Sequence, residues 1–487
     1  MKRLAGQTAL YGTSNIVGRL LNYFLVPLHT YLFSQAQYGT VTEFYAYSSF
    51  LYILYTYGME TAYFRFASTA KDTPENQNKV FDTGMLALVG SSLLLSGLLF
   101  AFATPLATTL GYADNVFYVR WFALIMAADT LMALPFARLR MENRPLKYAG
   151  LKLFNIGLTI ALNLIFLLYL PRQGVAGLLG LTGVSEGYVF LANLIASVTT
   201  ALLFSRMWLR FNYQFDGALF RKMLRYAAPL ILVGMAGMIN ETMDRVLLKW
   251  LLPLDTEAKL AQIGVYGACY KLSILMTLFV QAYRMAAEPF FFNEAGGKDS
   301  PQTFAKMMDY FTAVCVFIFI GITINLDIVK HFIDPKFHDG LHIVPVLLLA
   351  NLCLGIYYNL SVWYKLSDKT MYGAYISLFG AAVTLALNIW WIPLYGFTGS
   401  AWATLVCYAS MMVVSFFLGQ RFFKVPYNVP KFFGFAAAAV FVFLLHRQFV
   451  APFYSTNTFL YMAVNFVVLI ASLAAVYMLE FKAALRR

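Results

Sequence analysis

Apolar residues run along this chain in blocks of about twenty, and polar residues gather in the short gaps between them. About 20 apolar residues in helical form cross the roughly 30 Å hydrocarbon core of a bilayer. Fourteen such spans are predicted, at residues 7–33, 41–64, 83–104, 116–137, 148–170, 184–205, 226–252, 262–285, 308–332, 342–364, 372–392, 398–420, 432–450 and 457–479. Strict apolar/polar alternation is absent from these blocks, so the expected fold is an all-α polytopic membrane protein and not a membrane barrel. The first block is too long for a signal-peptide core and lacks a small-residue cleavage site, so it is expected to remain as a helix.

Composition agrees with the pattern and narrows it. The 487 residues are 60% hydrophobic, 17% aromatic and 12% charged, with a mean hydropathy of +0.66, which excludes a soluble multidomain protein. Lysine and arginine set the orientation. The gaps at 34–40, 105–115 and 393–397 hold none, whereas Arg138, Arg140, Arg144, Lys147 and Lys152 surround one loop and Arg206, Arg210, Arg221, Lys222 and Arg225 another. The positive-inside bias then puts both termini and the basic loops in the cytoplasm. One turn runs against it: 330–342, on the outer side, carries Lys330, Lys336 and three histidines against Asp327, Asp334 and Asp339. Basic loops meeting anionic lipid account for most of the net charge of +13, with the remainder inside helices, and call for no nucleic-acid partner. Cys269, Cys315, Cys353 and Cys407 fall inside spans without paired or metal-ligand spacing and read as packing residues.

The strongest interruption of the apolar pattern is 239–271. Glu241, Asp244, Arg245 and Lys249 fall within an arc of about 140° on one helix. A short turn is expected to follow, with Gly264-Val265-Tyr266-Gly267 and then Lys271 in the start of the next helix. Four charges facing lipid would cost on the order of 10 kcal/mol on insertion scales, so this face is expected to point inward.

The chain also repeats itself. Arg19 precedes Pro27-Leu28 by eight residues as Arg245 precedes Pro253-Leu254. Tyr38-Gly39 is matched by Tyr266-Gly267, and Glu60 and Glu288 each lie 21 residues after those glycines. Tyr63-Phe64 and Phe291-Phe292 then follow, and Pro171-Arg172-Gln173-Gly174-Val175-Ala176-Gly177 is matched by Pro393-Leu394-Tyr395-Gly396-Phe397-Thr398-Gly399. Matches in the same order argue for duplication. The expected organisation is a six-helix lobe at 1–210, a second at 211–425, and two appended helices with a cytoplasmic tail at 426–487. With an even number of spans per copy, the pseudo-twofold axis lies along the membrane normal, and the lobes enclose a central cavity that rocking would open to each side in turn.

The runs Met243-Asp244-Arg245-Val246-Leu247-Leu248 and Gly264-Val265-Tyr266-Gly267-Ala268-Cys269-Tyr270-Lys271-Leu272, with Gly18-Arg19-Leu20-Leu21-Asn22, resemble the polysaccharide transporter family. That family includes the Wzx-type O-antigen flippases and belongs to the multidrug/oligosaccharidyl-lipid/polysaccharide exporter superfamily. The resemblance covers essentially the whole chain. It implies a flippase, not an enzyme, in the bacterial inner membrane, moving undecaprenyl-diphosphate-linked oligosaccharides to the periplasmic leaflet for O-antigen, capsule or exopolysaccharide synthesis. It further implies a polysaccharide polymerase as partner, membrane lipids as surroundings and no cofactor. A flippase of the peptidoglycan lipid precursor and a multidrug/cation antiporter of the same superfamily stay open as alternatives.

A diphosphate cannot cross hydrocarbon unaided, so cations inside spans are the expected signature. Arg19 shares a stripe of about 80° with Thr8, Asn15, Asn22 and His29 on the first helix. Arg19 and Arg245 are the expected phosphate contacts, because arginine offers a bidentate fork. Asn15, Asn22, Lys249 and Lys271 are expected to complete the substrate cavity. Against this stands an intrahelical pair of Glu241 with Arg245, four residues apart. Compensation of Glu241 or Asp244 by a proton or sodium ion stands beside simple pairing with Arg245 and Lys249, with Asp129 and Glu186 as lesser candidates. Arg65 and Arg284, near cytoplasmic span ends, are expected to snorkel. The aromatic run Phe44, Tyr45, Tyr47, Phe50, Tyr52, Tyr55 and Tyr57 leaves sugar stacking and lobe packing both open. No metal-ligand cluster and no nucleotide-binding loop are visible.

Overall fold

A computed structural model describes residues 12, 14, 16–69, 74–171, 183–208, 214–294 and 300–480. Among these, every regular element is a helix, and the protein is a multi-pass membrane protein. The principal helices are α1 (Leu25–Leu32), α2 (Gln35–Thr56), α3 (Met59–Thr69), α4 (Pro74–Ala101), α5 (Val116–Met141), α6 (Pro145–Leu164), α7 (Gly187–Leu203) and α8 (Gly217–Leu251). They continue with α9 (Thr256–Leu272), α10 (Ile274–Glu294), α11 (Ser300–Ile324), α12 (Val344–Leu360), α13 (Met371–Phe422), α14 (Val429–Phe449) and α15 (Thr458–Glu480). Nine helices among the described residues are individually long and apolar enough to cross a bilayer, and α9 with α10 passes as a pair bent by 53°.

Polar side chains mark where the long helices begin. Ser34 and Gln37 form a reciprocal capping box at the start of α2. Asp216 accepts from the Leu219 N–H, Asn428 from Lys431 and Asn457 from Leu460, so α8, α14 and α15 are each capped by a side-chain oxygen. α13 contains two predicted spans. Gly396 breaks it with φ 59° and ψ −142°, a backbone state that a side chain would strain. Its counterpart motif at 171–177 lies largely outside the described residues.

The chain divides into two compact units, residues 1–249 with 254–264, and residues 250–253 with 265–487. In the first, Met59, Tyr63, Phe81 and Leu134 pack with Met223 and Ala227 of α8. A second cluster joins Met132 and Phe136 of α5 to Tyr148 and Phe204. The aromatic run on α2 divides here. Phe44 sits in a nest of rings, 5.1 Å from Tyr112 and Phe122 and 5.2 Å from Phe190, and Tyr55 bonds Ser96, so these two are packing residues. In the second unit Tyr357, Trp363, Cys407 and Tyr408 form a core. The turn at 330–342 is internally compensated: Lys330 pairs with Asp327 at 2.8 Å, and His331 reaches the Tyr454 hydroxyl at 2.7 Å.

The turn after the charged stretch is confined to 252–255, and Gly264-Val265-Tyr266-Gly267 lies inside α9, in keeping with the predicted span at 262–285. Its glycines answer to close packing. A Cβ on Gly264 would stand 2.0 Å from the Gln35 carbonyl oxygen, and one on Gly39 would stand 1.9 Å from that of Leu260. Glycine is present at both crossings because α2 and α9 touch through their backbones.

Candidate functional site

The charged face of α8 is real, and most of it is buried. Asp244 is 4% exposed, Arg245 8% and Lys249 7%, whereas Glu241 is exposed. Arg245 donates from Nη1 to the Glu241 carbonyl oxygen at 2.6 Å and to Asp244 Oδ1 at 3.0 Å. The guanidinium therefore meets Glu241 through its main chain, and its carboxylate neighbour at 3.0 Å is the adjacent Asp244.

Lys249 bonds a carboxylate 206 positions away in the chain. Its Nζ donates to Glu43 Oε2 at 3.1 Å and lies 4.7 Å above the Tyr112 ring, while the Tyr112 hydroxyl donates to the same oxygen at 2.5 Å. Glu43 is fully buried on α2. Its second oxygen, Oε1, has no hydrogen-bond partner among the described residues, with Tyr47 the neighbouring hydroxyl one turn along α2. Glu43 and Tyr112 are absent from the sequence-based candidates. The available signal was a single carboxylate in the otherwise uncharged run 35–56.

The first-helix stripe does not hold together as one surface. His29 is buried and bonds Asn163 Oδ1 at 2.9 Å, whereas Arg19 and Asn22 are exposed. Asn15 and Thr8 lie outside the described residues. Lys271 is half-buried near the end of α9 and belongs to the second unit. Arg65 stacks over Tyr226 at 4.3 Å and Arg284 over Tyr358 at 4.6 Å. Glu186, just before α7, receives the Tyr118 hydroxyl at 3.2 Å and the Gln37 amide at 3.1 Å.

The first unit also contains a polar cavity of about 310 Å³ between α2, α3, α5, α6 and α7. Asp129 and Arg140 of α5 and Glu60 of α3 line it, with Lys152 and Asn155 of α6 and Asn193 of α7. Arg140 forms an ion pair with Glu60, and its buried Nε has no hydrogen-bond partner among the described residues. Lys152 Nζ lies 4.4 Å above the Phe136 ring. The Lys79 ammonium, 2.8 Å from Asp216, and the Leu219 N–H hold the Asp216 carboxyl below the usual carboxylate range. Among the described residues no group of three or more His, Cys, Asp or Glu is placed to hold a metal ion.

Comparisons with known proteins agree on the architecture. The family described as "Polysaccharide biosynthesis protein" matches residues 4–293. A solved lipid II flippase, MurJ, in an inward closed conformation, is similar at a TM-score of 0.76 and 13% identity, over 98% of this chain and 100% of its own. A multidrug-resistance MATE transporter in an inward-facing conformation is similar at 0.66 and 13% identity, over 85% and 94%. A Vibrio cholerae MATE transporter, VcmN, gives 0.60 and 15% identity, over 86% and 96%. At these identities the likeness shows the fold. No curated protein matches the chain in sequence.

Proposed function

The chain belongs to the polysaccharide biosynthesis protein family, and from that premise we propose that it flips undecaprenyl-diphosphate-linked oligosaccharide repeat units. The direction is from the cytoplasmic to the periplasmic leaflet of a bacterial inner membrane, by alternating access, with both termini cytoplasmic. The observation that carries the reading is Arg245, a permanently charged fork buried within a long apolar helix. An intramembrane cation of this kind meets the requirement of a diphosphate headgroup whose polyprenyl tail stays in lipid. Arg19 and Arg245 hold the diphosphate, and Asn22 lines its path. Lys249, one turn beyond Arg245, engages only when released by Glu43. Glu241 and Asp244 carry any proton or sodium coupling.

Flipping of the peptidoglycan lipid precursor is the second reading. A specific observation favours it: the lipid II flippase is matched over its full length, whereas the MATE transporters leave part of this chain unmatched. One experiment separates the readings. Deletion is expected to accumulate a lipid-linked oligosaccharide richer than the peptidoglycan precursor. Arg19→Gln and Arg245→Gln are each expected to abolish surface polysaccharide while protein stays in the membrane. Normal polysaccharide in both variants refutes the phosphate assignment, and accumulation of the peptidoglycan precursor refutes the favoured reading. In Asp244→Asn, transport with unchanged pH and sodium dependence removes Asp244 from coupling.

A further inference from the structure

The cavity inside the first unit has a donor set that discriminates among ligands. Arg140 and Lys152 supply N–H donors, one of them the unpartnered Arg140 Nε; Glu60 and Asp129 supply acceptors; Asn155 and Asn193 supply both. A phosphate placed there would meet two carboxylates, and a bare cation would meet a guanidinium and an ammonium. Like-charge contact in a poorly solvated site costs several kcal/mol, so each is disfavoured. A ligand rich in hydroxyl groups donates to the acids and accepts from the bases at once. Phe136 and Tyr148 in its wall supply apolar contact for its C–H edges. The volume of about 310 Å³ falls at the lower end of the roughly 300–1,000 Å³ of small-molecule sites, which suits a sugar ring and not a whole repeat unit.

We propose that this cavity is a sugar subsite, taking one neutral monosaccharide of the lipid-linked glycan. The proposal rests on the flippase reading and deepens it, because it puts glycan recognition in residues other than those assigned to the diphosphate. Asp129 and Asn193 reach the sugar hydroxyls, and Arg140, held by Glu60, presents Nε to a ring or hydroxyl oxygen.

The test uses the full chain in lipid nanodiscs with two probes: the lipid-linked oligosaccharide fraction extracted from a deletion strain, and undecaprenyl diphosphate without sugar. Native mass spectrometry gives the affinity of each for the wild type and for Asp129→Asn and Asn193→Ala. Each variant is expected to weaken the glycosylated lipid about tenfold, or about 1.4 kcal/mol, and to leave the sugar-free lipid unchanged. An unchanged ratio between the probes in both variants overturns the subsite and leaves the flippase standing. So does an equal loss for both probes, or uptake of inorganic phosphate alone that the variants abolish. If the wild type binds neither lipid, the flippase reading itself fails. Should Asp129→Asn not fold, Asn193→Ala, which leaves the charges in place, decides.

Discussion

Lys249→Met would leave Glu43 as a buried carboxylate without its cation. At 3.1 Å and an effective dielectric of about 20, the gross attraction of the pair is about 5 kcal/mol. Desolvating each ion costs several kcal/mol, so the intact pair contributes little net stability. Removing one partner is different, because it strands the other charge at about 3–5 kcal/mol. Here the Tyr112 hydroxyl still bonds Glu43, and a charge-assisted bond is worth about 1.5–3 kcal/mol, so the lower end is expected, about 3 kcal/mol. The double variant Glu43→Gln/Lys249→Met removes both charges and is expected to recover most of that loss. The assay is a double-mutant cycle on reversible denaturant unfolding in micelles, followed by helical circular dichroism. Two outcomes would refute the reasoning: a Lys249→Met cost below about 1 kcal/mol, or single-variant costs that add within about 0.5 kcal/mol in the double variant.

Two further predictions use the same measurement. Gly264→Ala puts a Cβ 2.0 Å from a backbone oxygen and is expected to cost at least the 1–3 kcal/mol of overpacking, roughly. Gly237→Ala on α8 meets nothing within 4 Å and is expected to stabilise by up to about 1 kcal/mol, through helix propensity; equal effects at the two sites would remove the backbone contact as the explanation. The Asp216 carboxyl is lowered in the folded chain, so its contribution is present above the unfolded value near ~3.9 and is lost as pH falls through the folded value. The difference in Tm between the wild type and Asp216→Asn is therefore expected to be constant near neutrality and to shrink below pH ~4; a difference that grows on acidification has the wrong sign.

The helices were readable because bilayer thickness writes itself into the chain as apolar length, and each predicted block has a helical counterpart among the described residues. Two kinds of information were not. The role of Gly264 depends on a carbonyl of Gln35, and the partner of Lys249 is Glu43. Helical periodicity reports neighbours three and four positions away, so Arg245 suggested Glu241, and nothing local could name a carboxylate 206 positions off. The cavity was hidden for the same reason. Asp129, Lys152 and Asn193 stand on three different helices, and each alone is an ordinary polar residue in an apolar run.

The repeat gives that cavity its meaning. Glu60 and Glu288 occupy matching places in the two copies, and each finds a cation at nearly the same chain distance: Glu60 pairs with Arg140, 80 positions on, and Glu288 with Lys365, 77 positions on. On the duplication expected from the sequence, the pair is common to both copies and does not distinguish them. Its surroundings do. In the second unit the space beside Glu288 and Lys365 shrinks to about 20 Å³, with Phe291, Phe292 and Tyr358 against it. In the first unit the space beside Glu60 and Arg140 is about 310 Å³, with Asp129, Lys152 and Asn193 added to its wall. If the ion pair served only to tie helices together, both copies would be free to close around it. One closed and the other stayed open and polar, although open polar space inside a membrane lobe is costly unless something hydrated occupies it. Under the proposed function a lipid with its glycan at one end needs one such space, and the open cavity of the first unit supplies it.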